Sequence, residues 1–143
     1  MSLSPSTWRV LGLSVATSYI GLGTFALTAP TLAAKAFGLY PSFTVSPAAS
    51  EPTALNKAEA SHARSITTSM TLLAVRDFSI GLALFAFDYQ RNLHAVGTLI
   101  LSGVVLCAAD VFVIWKQRGS AWGAAFALGA SSWMAIGYGL LDQ

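Results

Sequence analysis

Arg76 and Asp77 stand side by side in "TTSMTLLAVRDFSIGLALFAFDYQ", residues 67–90, a stretch that is otherwise mostly apolar. A further carboxylate, Asp110, lies inside a second apolar run, "SGVVLCAADVFVIW", residues 102–115. An arginine and two carboxyls in apolar surroundings can hold a proton, deliver it to a bound molecule and stabilise the resulting charge. Neighbouring helical residues point about 100° apart, so Arg76 and Asp77 are expected to be poor partners for each other. Each then needs a group from another helix. Asp110 is the expected partner of Arg76, in a bidentate pair. Asp77 is left to find a donor among Tyr19, Ser18, Ser131, Ser132 and Tyr138. It becomes the candidate acid, because a carboxyl in a low-dielectric pocket is readily held neutral, with Asp110 as the paired carboxylate.

Other residues extend this set. His62, Ser69 and Arg76 are spaced seven apart, two turns with a drift of about 20° per heptad. Glu59 lies near the same stripe. His62 and Glu59 are candidate catalytic groups on that line, and Ser69 and Tyr19 candidate substrate contacts. Trp133 and Phe126 fall inside an apolar run near the C-terminus, where aromatic faces could shelter a developing cation. Each has a plainer reading: a polar network that fixes helix register, a solvated Glu59 and His62, and aromatics that face lipid. Asp88, Arg91 and His94 read as a solvated turn. The sequence shows no Gly-rich phosphate loop, no Cys/His metal spacing and no nucleophile elbow. The expectation is acid–base chemistry with no cofactor and no metal.

The elements that must position these groups follow from composition. Of 143 residues, 55% are hydrophobic and 10% charged, against roughly 25% charged in soluble domains, and the mean hydropathy is +0.63. So few charges cannot cover a surface in water, which points to lipid as the solvent. A net charge of +2 from dispersed basic residues does not suit nucleic acid, and the lone Cys107 excludes a disulfide within the chain. A bilayer core needs about 20 apolar residues per helix. Four runs meet this: Val10 to Thr28, Ile66 to Phe87, Leu93 to Trp115 and Ala121 to Leu141. The first is read as a full span rather than a cleaved leader. The expected fold is an all-α, integral membrane four-helix bundle forming one domain over residues 1–143. It has a long first loop, residues 29–65, and a second helix that begins before the membrane, since Pro52 suits a first turn and no breaker follows until beyond Gln90. Small residues spaced four apart, such as Gly12 with Ala16, support close helix contact and leave homo-oligomerisation open. Arg9 and Arg91 lie on one side, Lys35, Lys57, Arg64, Lys116 and Arg118 on the other. This predicts both termini outside the cytosol.

The segment "AVRDFSIGLALFAFDYQRNLHAVGTLILSGVVLCAADVFVIWKQRG", residues 74–119, resembles the small four-helix membrane proteins grouped as domain of unknown function 4267, near the DoxX-like group. The resemblance carries over Arg76, Asp77, Gly81, Asp110 and Gly119. Many members resemble fungal proteins encoded among natural-product pathway genes, which implies work on lipophilic biosynthetic intermediates, with an endoplasmic reticulum location. The expected function is a membrane-embedded acid–base isomerase or cyclase acting on a lipophilic terpenoid or polyketide intermediate of secondary metabolism. The alternative is a non-catalytic membrane accessory or lipophile-binding protein. A small transporter would usually show internal repeats, and none is evident. The expected partners are a lipophilic small-molecule substrate and membrane lipid, with no nucleic acid.

Overall fold

The structure, a computed structural model, describes residues 4–39 and 52–142, with side chains for 4–39 and 60–142. The described residues fold into six helices: α1 (Pro5–Thr28), α2 (Pro30–Ala36), α3 (Pro52–Tyr89), α4 (Leu93–Ser102), α5 (Val104–Arg118) and α6 (Ser120–Leu141). Local chemistry sets most boundaries. Ser4 caps α1 by accepting from the Thr7 N–H, with Pro5 at the first helical position, where its missing N–H costs nothing. Asn92 caps α4 by accepting from Ala95 N–H at 3.0 Å. Gly119, the single residue between α5 and α6, has φ 91° and ψ 177°, a conformation essentially reserved for glycine.

Among the described residues, four stretches are long and apolar enough to cross a membrane: Pro5–Thr28, Ala60–Tyr89, Leu93–Arg118 and Ser120–Leu141. Their outward faces are apolar too. Leu72, Val105 and Leu128 are 68%, 72% and 72% exposed, a surface suited to lipid rather than water. The chain is an all-α integral membrane protein. The second helix does start ahead of its span, at Pro52. The expected loop over residues 29–65 is corrected in one respect: it begins with a helix, α2. α2 folds there because Ala33 and Ala34 bury completely against a cluster containing Ala26, Met70 and Ala74.

The third span is one expected helix in two pieces. At Gly103 the N–H turns back to Ile100 O at 3.1 Å, three residues away rather than four, and α4 ends. A Cβ on Gly103 would meet Ile100 O at 3.0 Å and the Tyr19 hydroxyl at 3.4 Å, so glycine lets α1 approach the junction. The two pieces then diverge. α4 packs against α6, α3 and α1, whereas α5 packs against α6 and touches α4 only at their junction. α5 therefore leans away from α1 and α3 and opens a wedge in the bundle.

α1 and α3 share the most extensive contact of any helix pair among the described residues. A Cβ on Gly23 would sit 2.9 Å from both Ala74 O and Phe78 N, and one on Gly81 would sit 3.1 Å from Ala16 O. These backbones cannot separate without losing their mutual contact. Gly23→Ala is expected to cost about 1–3 kcal/mol through overpacking, read as a lower thermal midpoint in detergent micelles. An unchanged midpoint would refute the close crossing.

Candidate functional site

Asp88, expected as part of a solvated turn, is 7% exposed. Arg9 grips it with two parallel hydrogen bonds, Nε to Oδ1 at 2.7 Å and Nη2 to Oδ2 at 2.8 Å. The pair ties the start of α1 to the end of α3, and at the same end of the bundle His94 Nδ1 lies 3.2 Å from Leu141 O. This end is a clamp rather than a loose turn. Arg9→Gln or Asp88→Asn should lower the thermal midpoint, and the exchange Arg9→Asp with Asp88→Arg should recover part of the loss. A swap no better than either single change would argue against the pair.

The opposite half of the bundle holds a cavity of about 510 Å³ in the wedge that α5 leaves. α1, α3, α5 and α6 contribute its walls, and Phe37 and Leu39, just after α2, lie across one end. That cover is fastened in place. Arg118 Nη1 donates to Ala36 O at 2.6 Å, its guanidinium stacks on Trp122 at 4.4 Å, and Phe37 packs against Phe126 with ring centroids 6.2 Å apart. The walls are mostly aliphatic and aromatic. Trp133 stacks on Tyr19, ring centroids 4.8 Å apart at 47°, and Tyr19 is buried in the core that joins α1, α4 and α6.

The polar groups gather at one wall. Arg76 Nε donates to Asp77 Oδ1 at 2.9 Å, and Arg76 Nη2 donates to Asp110 Oδ2 at 3.5 Å. The Arg76–Asp110 contact between helices is present, but as one long bond rather than a bidentate pair. The expectation that Arg76 and Asp77 are poor partners is corrected. The backbone positions do diverge, yet the long arginine side chain curls back so that Nε meets the neighbouring carboxylate. The donor for Asp77 is therefore Arg76. The hydroxyls of Ser18, Ser131 and Ser132 instead bond back to Ser14, Ala127 and Leu128 of their own helices, and Tyr138 is exposed.

Burial separates the two carboxyls. The Asp77 side chain is 8% exposed and that of Asp110 43%. Asp77 is enclosed and strongly bonded. Asp110 faces the cavity, and its one ion pair among the described residues is the long one. The pairing differs from the one expected from sequence: Asp77 holds the shorter bond to Arg76 and Asp110 the longer one.

The structure brings Arg76, Asp77, Asp110, Tyr19, Trp133 and Phe126 to a single cavity. It does not bring His62 or Ser69 there. Both are exposed on α3, and the line of α3 that lines the cavity passes through Met70, Leu73 and Asp77. That line lies one residue, about 100° of helix rotation, away from the expected stripe. Arg76 belongs to the stripe by backbone position and reaches the cavity only through its length. The side chain of Glu59 lies outside the described residues. Sequence reasoning missed Phe37 and Leu39. The signal was available in "APTLAAKAFGL", residues 29–39, too apolar for a solvated loop. It also missed Cys107, which lines the cavity one turn before Asp110.

A family model described as a domain of unknown function (DUF4267) matches residues 16–141. Neither the curated proteins nor the solved structures contain a match. The matched span includes the whole polar cluster, Gly81 at the α1–α3 crossing and Gly119 at the α5–α6 turn.

Proposed function

This chain belongs to the DUF4267 family, whose description names no reaction, and we propose from its site that it is a membrane-embedded acid–base isomerase or cyclase. The proposed substrate is a lipophilic terpenoid or polyketide intermediate of secondary metabolism. One observation carries the reading: two carboxyls share one guanidinium at the wall of an apolar cavity, and only one of them is enclosed. Unequal environments are how paired carboxyls divide acid and base roles. The cavity volume falls within the roughly 300–1,000 Å³ of small-molecule sites.

In this reading Asp110 carries the proton. It transfers the proton to an alkene, epoxide or carbonyl of the substrate. The resulting cation loses a proton from a carbon, that proton returns to the Asp110 carboxylate, and an isomerisation closes without net gain or loss. Arg76, held by Asp77, stays charged and steadies Asp110 whenever it is ionised. Trp133 and Tyr19 offer faces to positive charge that develops in the cavity.

The experiment compares lipophilic extracts of a host that expresses the parent chain, Asp110→Asn, or neither. A product made by the parent and missing from both others supports the enzyme. A profile from Asp110→Asn that matches the parent, at equal membrane abundance, rejects it and leaves the non-catalytic lipophile-binding reading. That alternative is favoured by the same enclosed Asp77, whose pairing with Arg76 needs no reaction to explain it.

A further inference from the structure

The wedge between α3 and α5 is a gap between two membrane-spanning stretches. α5 packs along α6, meets α4 at their junction and is tied to the end of α2 by Arg118, whereas α3 packs on α1, α2 and α4. Across the gap runs one ion pair, Arg76 to Asp110 at 3.5 Å. The residues beside it, Leu73 on α3 and Val113 on α5, are apolar cavity-lining positions, and Val113 is 41% exposed. Both charged side chains keep substantial accessible surface, 31% for Arg76 and 43% for Asp110. In water such exposure is ordinary. Within a bilayer it is not, because a charge turned toward hydrocarbon costs several kcal/mol unless a polar group meets it. Both groups line the cavity, so the polar end of a membrane-dissolved molecule that enters it can meet them there.

We propose that the α3–α5 gap is a lateral portal through which a bilayer-dissolved molecule with a neutral hydroxyl or carbonyl end enters the cavity. Its polar end sits between Arg76 and Asp110, accepting from Nη2 and from the protonated carboxyl of Asp110. Its apolar body lies along Met70, Phe126 and Trp133. A neutral end is specified by the balance of the cluster: the enclosed Asp77 already meets the Arg76 guanidinium at 2.9 Å, so an added anion would find no unmatched positive charge. The opposite end of the cavity offers a poorer route, since Phe37 and Leu39 cover it and Arg118 fastens their segment. The portal deepens the functional reading above by naming how the substrate arrives and which end it presents.

The probe is a pair of long-chain molecules brominated at mid-chain, an alcohol and an alkane of equal length, dissolved in phosphatidylcholine vesicles containing the full chain. Trp8, Trp115 and Trp122 are replaced by Phe, so that fluorescence reports Trp133 in the cavity. The alcohol should quench Trp133 at least twofold more than the alkane at equal membrane concentration. The plug is Gly129→Phe. Gly129 lines the cavity one turn before Trp133, and a Cβ built there meets nothing within 4 Å, so the side chain occupies empty space. It should remove the preference for the alcohol. Ala125→Phe, on the same wall, is the second plug should the first fail to accumulate. Equal quenching by both probes, or a preference that survives a plug, overturns the proposal. The readout involves no turnover. A failed portal with an active Asp110 leaves the enzyme reading standing, and a working portal with an inert Asp110 leaves a lipophile-binding protein.

Discussion

Asp110→Asn is expected to reduce turnover by about 10²–10⁴-fold, the range lost with a positioned acid or base, while leaving the amount of protein in the membrane close to that of the parent. The two halves of this expectation come from the same geometry. Asparagine keeps the shape and can still accept from Arg76, so the long 3.5 Å contact between α3 and α5 loses little. What it cannot do is carry the proton. Asp110 is 43% exposed, so no enclosed group is orphaned by the change. If the residue acts only in the transition state, kcat and kcat/KM should fall together with KM nearly constant. Asp110→Glu restores the acid on a longer arm and should return part of the activity. Full activity in Asp110→Asn at normal abundance would remove the acid from the mechanism.

Asp77→Ala should act in the opposite sense, on the fold before the chemistry. It removes the shorter of the two partners of Arg76, the one enclosed in protein, and leaves a guanidinium in a span with one long contact. Breaking a buried pair by removing one partner costs about 3 kcal/mol or more, and Asp110 offsets only part of that. The expected result is a clearly lower thermal midpoint in micelles and reduced accumulation. The control is the double change Asp77→Ala with Arg76→Leu, which removes the stranded charge and should recover most of the stability without activity. Non-additivity of this sort is the signature of directly coupled groups. If the double change is as unstable as the single one, Asp77 serves α3 in some way other than through Arg76.

Together the two substitutions separate the carboxyls by function. One is expected mainly to maintain the arrangement, and the other mainly to use it. The sequence paired Arg76 with Asp110 and left Asp77 to another helix, for a definite reason. It weighed only backbone direction, and by that criterion Asp77 has no partner on its own helix. Side-chain length decided otherwise: an arginine can turn around its own Cα and meet the residue beside it.

What the sequence determined by itself was the class of fold and the charged residues that meet at the cavity wall. Apolar runs of about 20 residues leave few solutions other than helices in a bilayer, and charged residues within such runs must find partners. Arg76, Asp77 and Asp110 were therefore legible before any coordinates. The face of α3 that would meet the cavity was not. A helix that is apolar nearly all round carries little periodic signal, so the stripe through His62 and Ser69 was as consistent with the residues as the true line through Met70, Leu73 and Asp77. Asp88 read as solvated because its partner, Arg9, lies 79 residues away and nothing local announces it. The break at Gly103 was hidden among the many glycines of this chain. Only tertiary structure could decide that α4 stays with the bundle while α5 leans out, because that choice depends on which neighbours each half finds. The cavity, its cover by Phe37 and Leu39, and the open seam beside Asp110 all follow from it.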